Sequence, residues 1–324
     1  MTKNKLLVFI LIFCAFLGLF MILYKDQIFE KKNSDPYEIS VIWRSKSTES
    51  STTIKQGIDQ AARDFNAEVS FITLSSENNA EEQISLLQRE IKNGADAIVI
   101  APVNSTDLKE PIEKAQKGIP VVAMQSTVNI IKDLPSISCD NQQLGSALAG
   151  TILKNKGNHR RIAILRNSMD CSNIQQRYFG VLQALKANKN EIEYWEIPDD
   201  SQEAYDTAKG MLQTSMADTL VALDASTLEA AAKAEKDLLK TGSSQVQIYG
   251  IGRTNTVVSL LEEQVINSIG VENEYNLGYL SIQTAVNKIN KKQDENHTSI
   301  NFAIVNHENM YNSDNQRLLF PFVR

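Results

Sequence analysis

The chain has 324 residues, 42% of them hydrophobic and 22% charged, with a formal net charge of −6 at pH 7. That length holds two moderate cores, and the apolar fraction excludes a disordered polymer. The lack of any basic block excludes a nucleic-acid binder, which needs Lys and Arg clustered against phosphates.

In chain order, the first element is LLVFILIFCAFLGLFMILY, residues 6–24, an uncharged run. Roughly 20 apolar residues cross the hydrocarbon layer, whereas a signal-peptide core has about 7–15. Lys3 and Lys5 precede the run, no small-residue cleavage site follows it, and Phe13 before Cys14 does not suit lipid attachment. Residues 1–24 therefore read as a short cytoplasmic tail and an uncleaved transmembrane anchor. Residues 25–37, KDQIFEKKNSDPY, are charged and carry Asp-Pro, a juxtamembrane linker. The expected location is the cell membrane, single-pass, with everything beyond the linker extracytoplasmic. In such an oxidising compartment Cys139 and Cys171 could pair, but sequence does not set their distance, and both states stay open.

From residue 38 onward short β-rich runs alternate with helical patterns. The expected strands are 38–44, 68–74, 97–101, 120–125, 161–166, 191–197, 219–223, 246–252, 265–271 and 300–306. Several are continuous apolar runs, as strands covered on both faces should be. Between them lie stripes of helical period: Ile54, Ile58, Ala61 and Phe65, then Ile84, Leu87 and Ile91. Such alternation builds parallel sheets through right-handed crossovers. Ten units are too many for one comfortable sheet, so the fold class is α/β with two doubly wound domains.

The stretch CDNQQLGSALAG, residues 139–150, has the glycine spacing of a phosphate-cradling loop. That loop requires Lys and Ser or Thr after its second glycine, and here Thr151-Ile152 follow. Asp140 or Asn141 instead serves as an N-cap, and Gly145 with Ala149 gives the helix a face that a neighbour can approach closely.

SCDNQQLGSALAG resembles the Ser-Asp-Asn…Gly-x-x-x-Ala-Gly segment of type I solute-binding proteins of the ribose/galactose-binding class, relatives of the lactose-repressor core. GADAIVIAPVNSTDL (94–108), GIPVVAMQS (118–126), RYFGVLQAL (177–185), VALDASTLEAAAKA (221–234) and VENEYNLGYLSI (271–282) continue the resemblance over residues 38–310. It implies a Venus-flytrap: two parallel-sheet lobes joined by three crossovers near 139–141, 271–273 and 300–305, with ligand between them. Lobe 1 would comprise 38–139 plus 273–302, and lobe 2 would comprise 140–272 plus 303–324. Cys139, Asp140 and Asn141 would then lie at the first hinge.

Ligands of open α/β sheets bind beyond the carboxyl ends of the strands, on loops held by a rigid scaffold. Polar residues just after the expected strands are Ser45, Ser47, Thr48, Asn104, Gln125 and Ser126, then Asp224, Arg253 and Glu272, with Arg177 opening a helix. These side chains suit directional bonds to a hydroxylated or ionic ligand. Arg177 and Asp224 match the family's contact positions. The chain departs from the family where SKSTESSTT replaces an Asn-x-x-aromatic-aromatic run, Gln125-Ser126 replaces Asp-Arg, Asp224-Ala225 replaces Asn-Asp, Gly250-Ile251-Gly252-Arg253 stands for a Gly-Phe-Asp turn, and Glu272 takes a glutamine position. Trp43 could offer a stacking face or lie buried in its strand. His159, His297 and His307 fit no metal spacing, and no nucleophile elbow or full dinucleotide fingerprint occurs. No metal, cofactor or enzymatic activity is expected.

The expected function is a membrane-anchored extracytoplasmic binder of a sugar or similarly polar small molecule. Its closed state would be read by a membrane partner, a sensor histidine kinase in preference to an ATP-driven importer. Two other readings stay open: a ligand-independent interaction module, and an exported α/β hydrolase using Asp224 or Glu272 as base.

Overall fold

The computed structural model describes residues 13, 35–45, 51–129, 131, 133–156, 160–242, 246–292 and 296–320. Tyr37–Arg324 forms a compact unit of its own. The expected anchor and nearly all of the linker lie outside the described residues, as do Ser47 and Thr48. Among the described residues no helix is long and apolar enough to cross a membrane.

The first sheet holds β1 (Tyr37–Trp43), β2 (Ala67–Thr73), β3 (Ala97–Ile100), β4 (Val121–Met124), β5 (Ser136–Ser138) and β11 (His297–Ser299), in the order β11-β5-β4-β3-β1-β2. The second holds β6 (Arg161–Arg166), β7 (Glu191–Glu196), β8 (Thr219–Ala222), β9 (Gln247–Ile251), β10 (Ser268–Glu272) and β12 (Phe302–Val305), in the order β12-β10-β9-β8-β6-β7. Helices α1 (Thr52–Phe65), α2 (Ala80–Lys92), α3 (Lys109–Ala115) and α9 (Glu274–Ile289) belong with the first sheet. With the second go α4 (Asn141–Lys156), α5 (Ser172–Lys186), α6 (Ser201–Thr214), α7 (Ala225–Lys240), α8 (Asn255–Glu262) and α10 (Ser313–Leu319). The chain passes between sheets three times: after β5, after β10, and between β11 and β12.

The strands AIVI, VVAM and TLVA are buried at every position because helices cover both faces. The outer strands β2 and β7 retain exposed positions. β5 (SIS) and β11 (HTS) are absent from the sequence reading: each has three residues, with one apolar side chain in β5 and none in the edge strand β11, too few to show a period. β10 begins at Ser268 rather than 265, since the preceding residues form the turn that ends α8. Phe302, expected in lobe 1, instead pairs with Glu272 in the second sheet, and β12 runs antiparallel there because the chain re-enters that sheet from the opposite end.

Two polar side chains shift the α2 stripe. Gln83 is fully buried; its Nε2 donates to Ala101 O at 2.8 Å and its Oε1 accepts from Val103 N at 3.0 Å. Glu90 is buried and accepts from Ser40 Oγ at 2.9 Å. Gln83, Leu86, Leu87 and Glu90 thus face inward, and Ile84 and Ile91 are half-buried. Buried polar atoms survive at such positions when each finds a partner.

Close helix contact fixes α4 against α5. A Cβ on Gly145 would overlap the carbonyl oxygen of Arg177, and one on Gly180 would overlap that of Gln142. Gly57 and Gly278 make the same reciprocal approach between α1 and α9. The phosphate-loop spacing of residues 145–150 thus belongs to a helix, started by Asp140, whose Oδ1 accepts from Gln143 N at 2.8 Å.

Candidate functional site

The carboxyl ends of β1, β3 and β4 face those of β6, β8 and β9, and bonds run directly from one lobe to the other. Arg44 donates to Asn173 Oδ1 (3.3 Å), Thr127 N to Ser172 Oγ (2.7 Å), and Ser105 N to the Asp170 carbonyl (2.9 Å). Asn78 Nδ2 donates to both Ser168 Oγ (2.7 Å) and Asp199 Oδ1 (2.9 Å). The lobes are closed.

At the hinge, Arg177 and Glu272 form the centre of the site, 3% and 7% exposed, with Nη2 2.8 Å from Oε2. At that separation the pair is a buried, charge-assisted contact. Arg177 Nε donates to Asn141 Oδ1 (2.8 Å) and Nη1 to the Leu223 carbonyl (3.1 Å). Glu272 accepts from Gln125 Nε2 (3.3 Å) and the Cys139 thiol (3.0 Å). Burial opposes both charges, yet each holds the other ionised: the Glu272 carboxyl stays below its ordinary range and the Arg177 guanidinium above its own. Burial, and then the Glu272 charge, push the Cys139 thiol far up, so it remains a protonated donor. Breaking such a pair by removing one partner costs about 3–5 kcal/mol.

A second cluster lies beside the first. Arg253, buried, donates to the Leu319 carbonyl (3.0 Å), Asn255 Oδ1 (3.1 Å) and, across the lobes, Thr53 Oγ1 (3.3 Å). Glu274 opens α9 here. Burial pushes its carboxyl up to about 8 against the pull of Arg253, and the nearby Glu272 charge adds to the rise.

The remaining expected residues have structural partners. Asp224 caps α7, its carboxylate accepting from Thr227 N (2.9 Å), Ser226 Oγ (2.7 Å) and Thr227 Oγ1 (3.1 Å). Asn104 closes its own turn by accepting from Thr106 N and Asp107 N. Ser126 Oγ donates to the Pro102 carbonyl at 2.6 Å, and Ser45 Oγ to Glu77 at 3.0 Å. Trp43 is buried in the core at 3% exposure. Cys139 and Cys171 are both free and buried; the Cys171 thiol donates to the Val103 carbonyl across the lobes at 2.9 Å, so the two do not pair.

Backbone conformation marks the same face. Gln125, Asn78 and Ser168 adopt left-handed φ values of 65°, 54° and 52°. For a non-glycine residue this costs of order 1–3 kcal/mol and persists where surroundings hold it, commonly at binding sites. Asn78 and Ser168 bond to each other, and Gln125 reaches Glu272. The sequence reading missed Asn173, Glu274, Asn78 and Thr53. Asn173 was detectable one helical turn before Arg177; Glu274 follows Glu272 by two residues across a crossover, a spacing with no meaning along the chain.

A family model, the periplasmic binding protein domain, matches residues 39–293, most of the chain. The chain belongs to the periplasmic binding protein family. Membership makes it a binding protein rather than an enzyme, which removes the hydrolase reading of Asp224 and Glu272. It is 26% identical over 129 residues to the ribose import binding protein RbsB of Bacillus subtilis (strain 168), an alignment spanning 40% of this chain and 42% of that protein. Its fold is similar to a carbohydrate transporter solute-binding protein of Agrobacterium radiobacter, solved with D-arabinose. The TM-score there is 0.81 at 18% identity, over 88% of this chain and 99% of that one. It is also similar to a chain of the XylFII-LytSN complex, with TM-score 0.76 and 22% identity over 84% and 98%. These likenesses establish the two-lobed fold of the periplasmic binding protein family.

Proposed function

We propose that this chain is a membrane-anchored extracytoplasmic solute-binding protein that closes around a sugar or similarly polar small molecule. The observation that carries the reading is the joint at the hinge. Gln125 from lobe 1 and Arg177 from lobe 2 meet on Glu272, so opening the lobes separates groups that ligand and protein can share. A ligand that touches both lobes favours the closed form by its differential affinity. The sugar class is supported by the names of its relatives, one an import binding protein for ribose and another solved with D-arabinose.

The closed state is presented to a membrane partner, a sensor histidine kinase. The apolar run 6–24 supports a fixed anchor, and a similar fold was solved in complex with a partner, XylFII-LytSN. Delivery to an ATP-driven importer is the second reading, supported by the words import and transporter in the relatives' names.

Titration calorimetry of the purified full-length chain against sugars, sugar acids, polyols and amino acids tests the binding role; a panel with no binder refutes it. Alkaline extraction of membranes tests the anchor, which predicts retention in the pellet. Ligand-stimulated autophosphorylation of a co-reconstituted kinase supports sensing, and ligand uptake with a co-reconstituted permease replaces it with import.

A further inference from the structure

The lobes also meet at the edge farthest from the crossovers. β2 and β7 are the outer strands of their sheets, and β5 and β10, from which the chain crosses, lie four strand spacings away in each. At about 4.8 Å per spacing that is roughly 19 Å. Asn78 lies in the turn between β2 and α2, while Ser168 and Asp199 follow β6 and β7. The Asn78 amide donates one proton to Ser168 Oγ (2.7 Å) and the other to Asp199 Oδ1 (2.9 Å). Each end of this contact is set by its own lobe. In lobe 1 the Glu82 carboxylate accepts from Ser75 N (2.8 Å) and Ser76 N (3.4 Å), and Asn79 caps α2 by accepting from Glu82 N (3.0 Å). In lobe 2 Ser168 Oγ donates to Asn167 Oδ1, and the buried Asn167 amide donates to the carbonyls of Ile197 (3.0 Å) and Pro198 (3.1 Å). Asn78 and Ser168 hold left-handed backbones, which persist only where the surroundings fix them.

With an arm of roughly 19 Å, a rotation of about 10° at the hinge parts these atoms by roughly 3 Å, beyond any hydrogen bond. The contact therefore forms with closure and breaks at the first step of opening. The bonds of Arg44, Ser105, Thr127 and Cys171 close with it, and each runs from protein to protein, so closure forms them with no ligand between. We propose that Asn78, with Ser168 and Asp199, is a clasp that keeps the lobes mainly closed before any ligand binds. Ligand then adds to a state already populated instead of driving the whole closure. The inference concerns the empty chain and stands apart from which ligand it takes.

Maleimide labelling of Cys171 in the ligand-free full-length chain reads the open fraction, because its thiol is buried and bonded across the lobes to Val103. Asn78→Gly removes the clasp and suits the left-handed backbone; Asp199→Ala removes one acceptor at an exposed position. Each should label at least threefold faster than the wild type, whereas Asp199→Asn, which keeps an acceptor, should stay within twofold. Labelling through global unfolding rises steeply with low urea, in proportion to the surface exposed, and labelling through lobe opening hardly changes. That slope separates an opened chain from a poorly folded one, and if Asn78→Gly folds poorly the two Asp199 variants decide. Wild-type labelling at the urea-unfolded rate, or a folded Asn78→Gly or Asp199→Ala less than threefold faster than the wild type, would overturn the proposal. No ligand enters the assay, so that result leaves the binding role standing.

Discussion

Adding one methyl group at Gly145 should loosen the site from behind. The Cβ of Gly145→Ala would overlap the Arg177 carbonyl oxygen and lie 3.0 Å from its carbonyl carbon, both backbone atoms that cannot rotate away. The limiting contact is the oxygen, 2.3 Å away, where carbon–oxygen contacts lie at about 3.3–3.6 Å, so α4 and α5 must separate by roughly 1 Å. Overpacking of this kind costs about 1–3 kcal/mol. In a domain of this size that lowers the melting temperature by roughly 2–4 °C per kcal/mol. Gly150, in the same helix, is the control: a Cβ there meets nothing within 4 Å. Gly150→Ala removes only backbone entropy from the unfolded chain and should stabilise by about 0.5–1 kcal/mol. Urea unfolding of the two variants beside the wild type reads both signs. Because the shifted backbone carries Arg177, Gly145→Ala should also weaken any ligand found by calorimetry at least fivefold, whereas Gly150→Ala should not. A Gly145→Ala protein as stable as the wild type, or a Gly150→Ala protein equally damaged, would refute the packing argument.

Glu272→Gln keeps shape and removes charge; it leaves Arg177 buried without a counter-ion and should cost about 3–5 kcal/mol in urea unfolding, with a loss under 1 kcal/mol counting against the pair. Glu274 gives a pH signature. The folded carboxyl keeps its proton to about pH 8, whereas its ordinary pKa is 4.5. Unfolding between those values therefore releases a proton, so this contribution is full below about 4.5 and is lost as pH rises through 8. The stability of the wild type relative to Glu274→Gln should fall from pH 5 to pH 8, and a flat difference would refute the assignment. Cys139 and Cys171 report lobe opening: maleimide labelling followed by peptide mass spectrometry should show both slow in the native chain, fast in urea, and slower again with a bound ligand. Rapid native labelling of Cys171 would contradict its bond to Val103.

Periodicity along the chain was enough to place most strands. RIAILR became β6 at the expected limits, and AIVI and VVAM lie within theirs, because a strand covered on both faces must be apolar at every position. The same holds for the N-cap at Asp140, whose bond to Gln143 N depends only on near neighbours. Side chains with distant partners were not legible. Nothing in the sequence says whether Asp224 turns toward a ligand or back onto Thr227, or that Cys139 chooses Glu272 over Cys171. Ile84 and Ile91 yielded their inward places to Gln83 and Glu90 because Val103 just beyond β3 and Ser40 within β1 supplied partners for those polar groups.

The sequence by itself therefore determined the alternation of strands and helices, the two-lobed family and the glycines where helices touch, since each is set by spacing along the chain. Only the tertiary structure decided which charges face each other. Three passes between the lobes bring Arg177, Glu272 and Gln125 together, and burial there makes the ion pair matter far more than the same groups would in water.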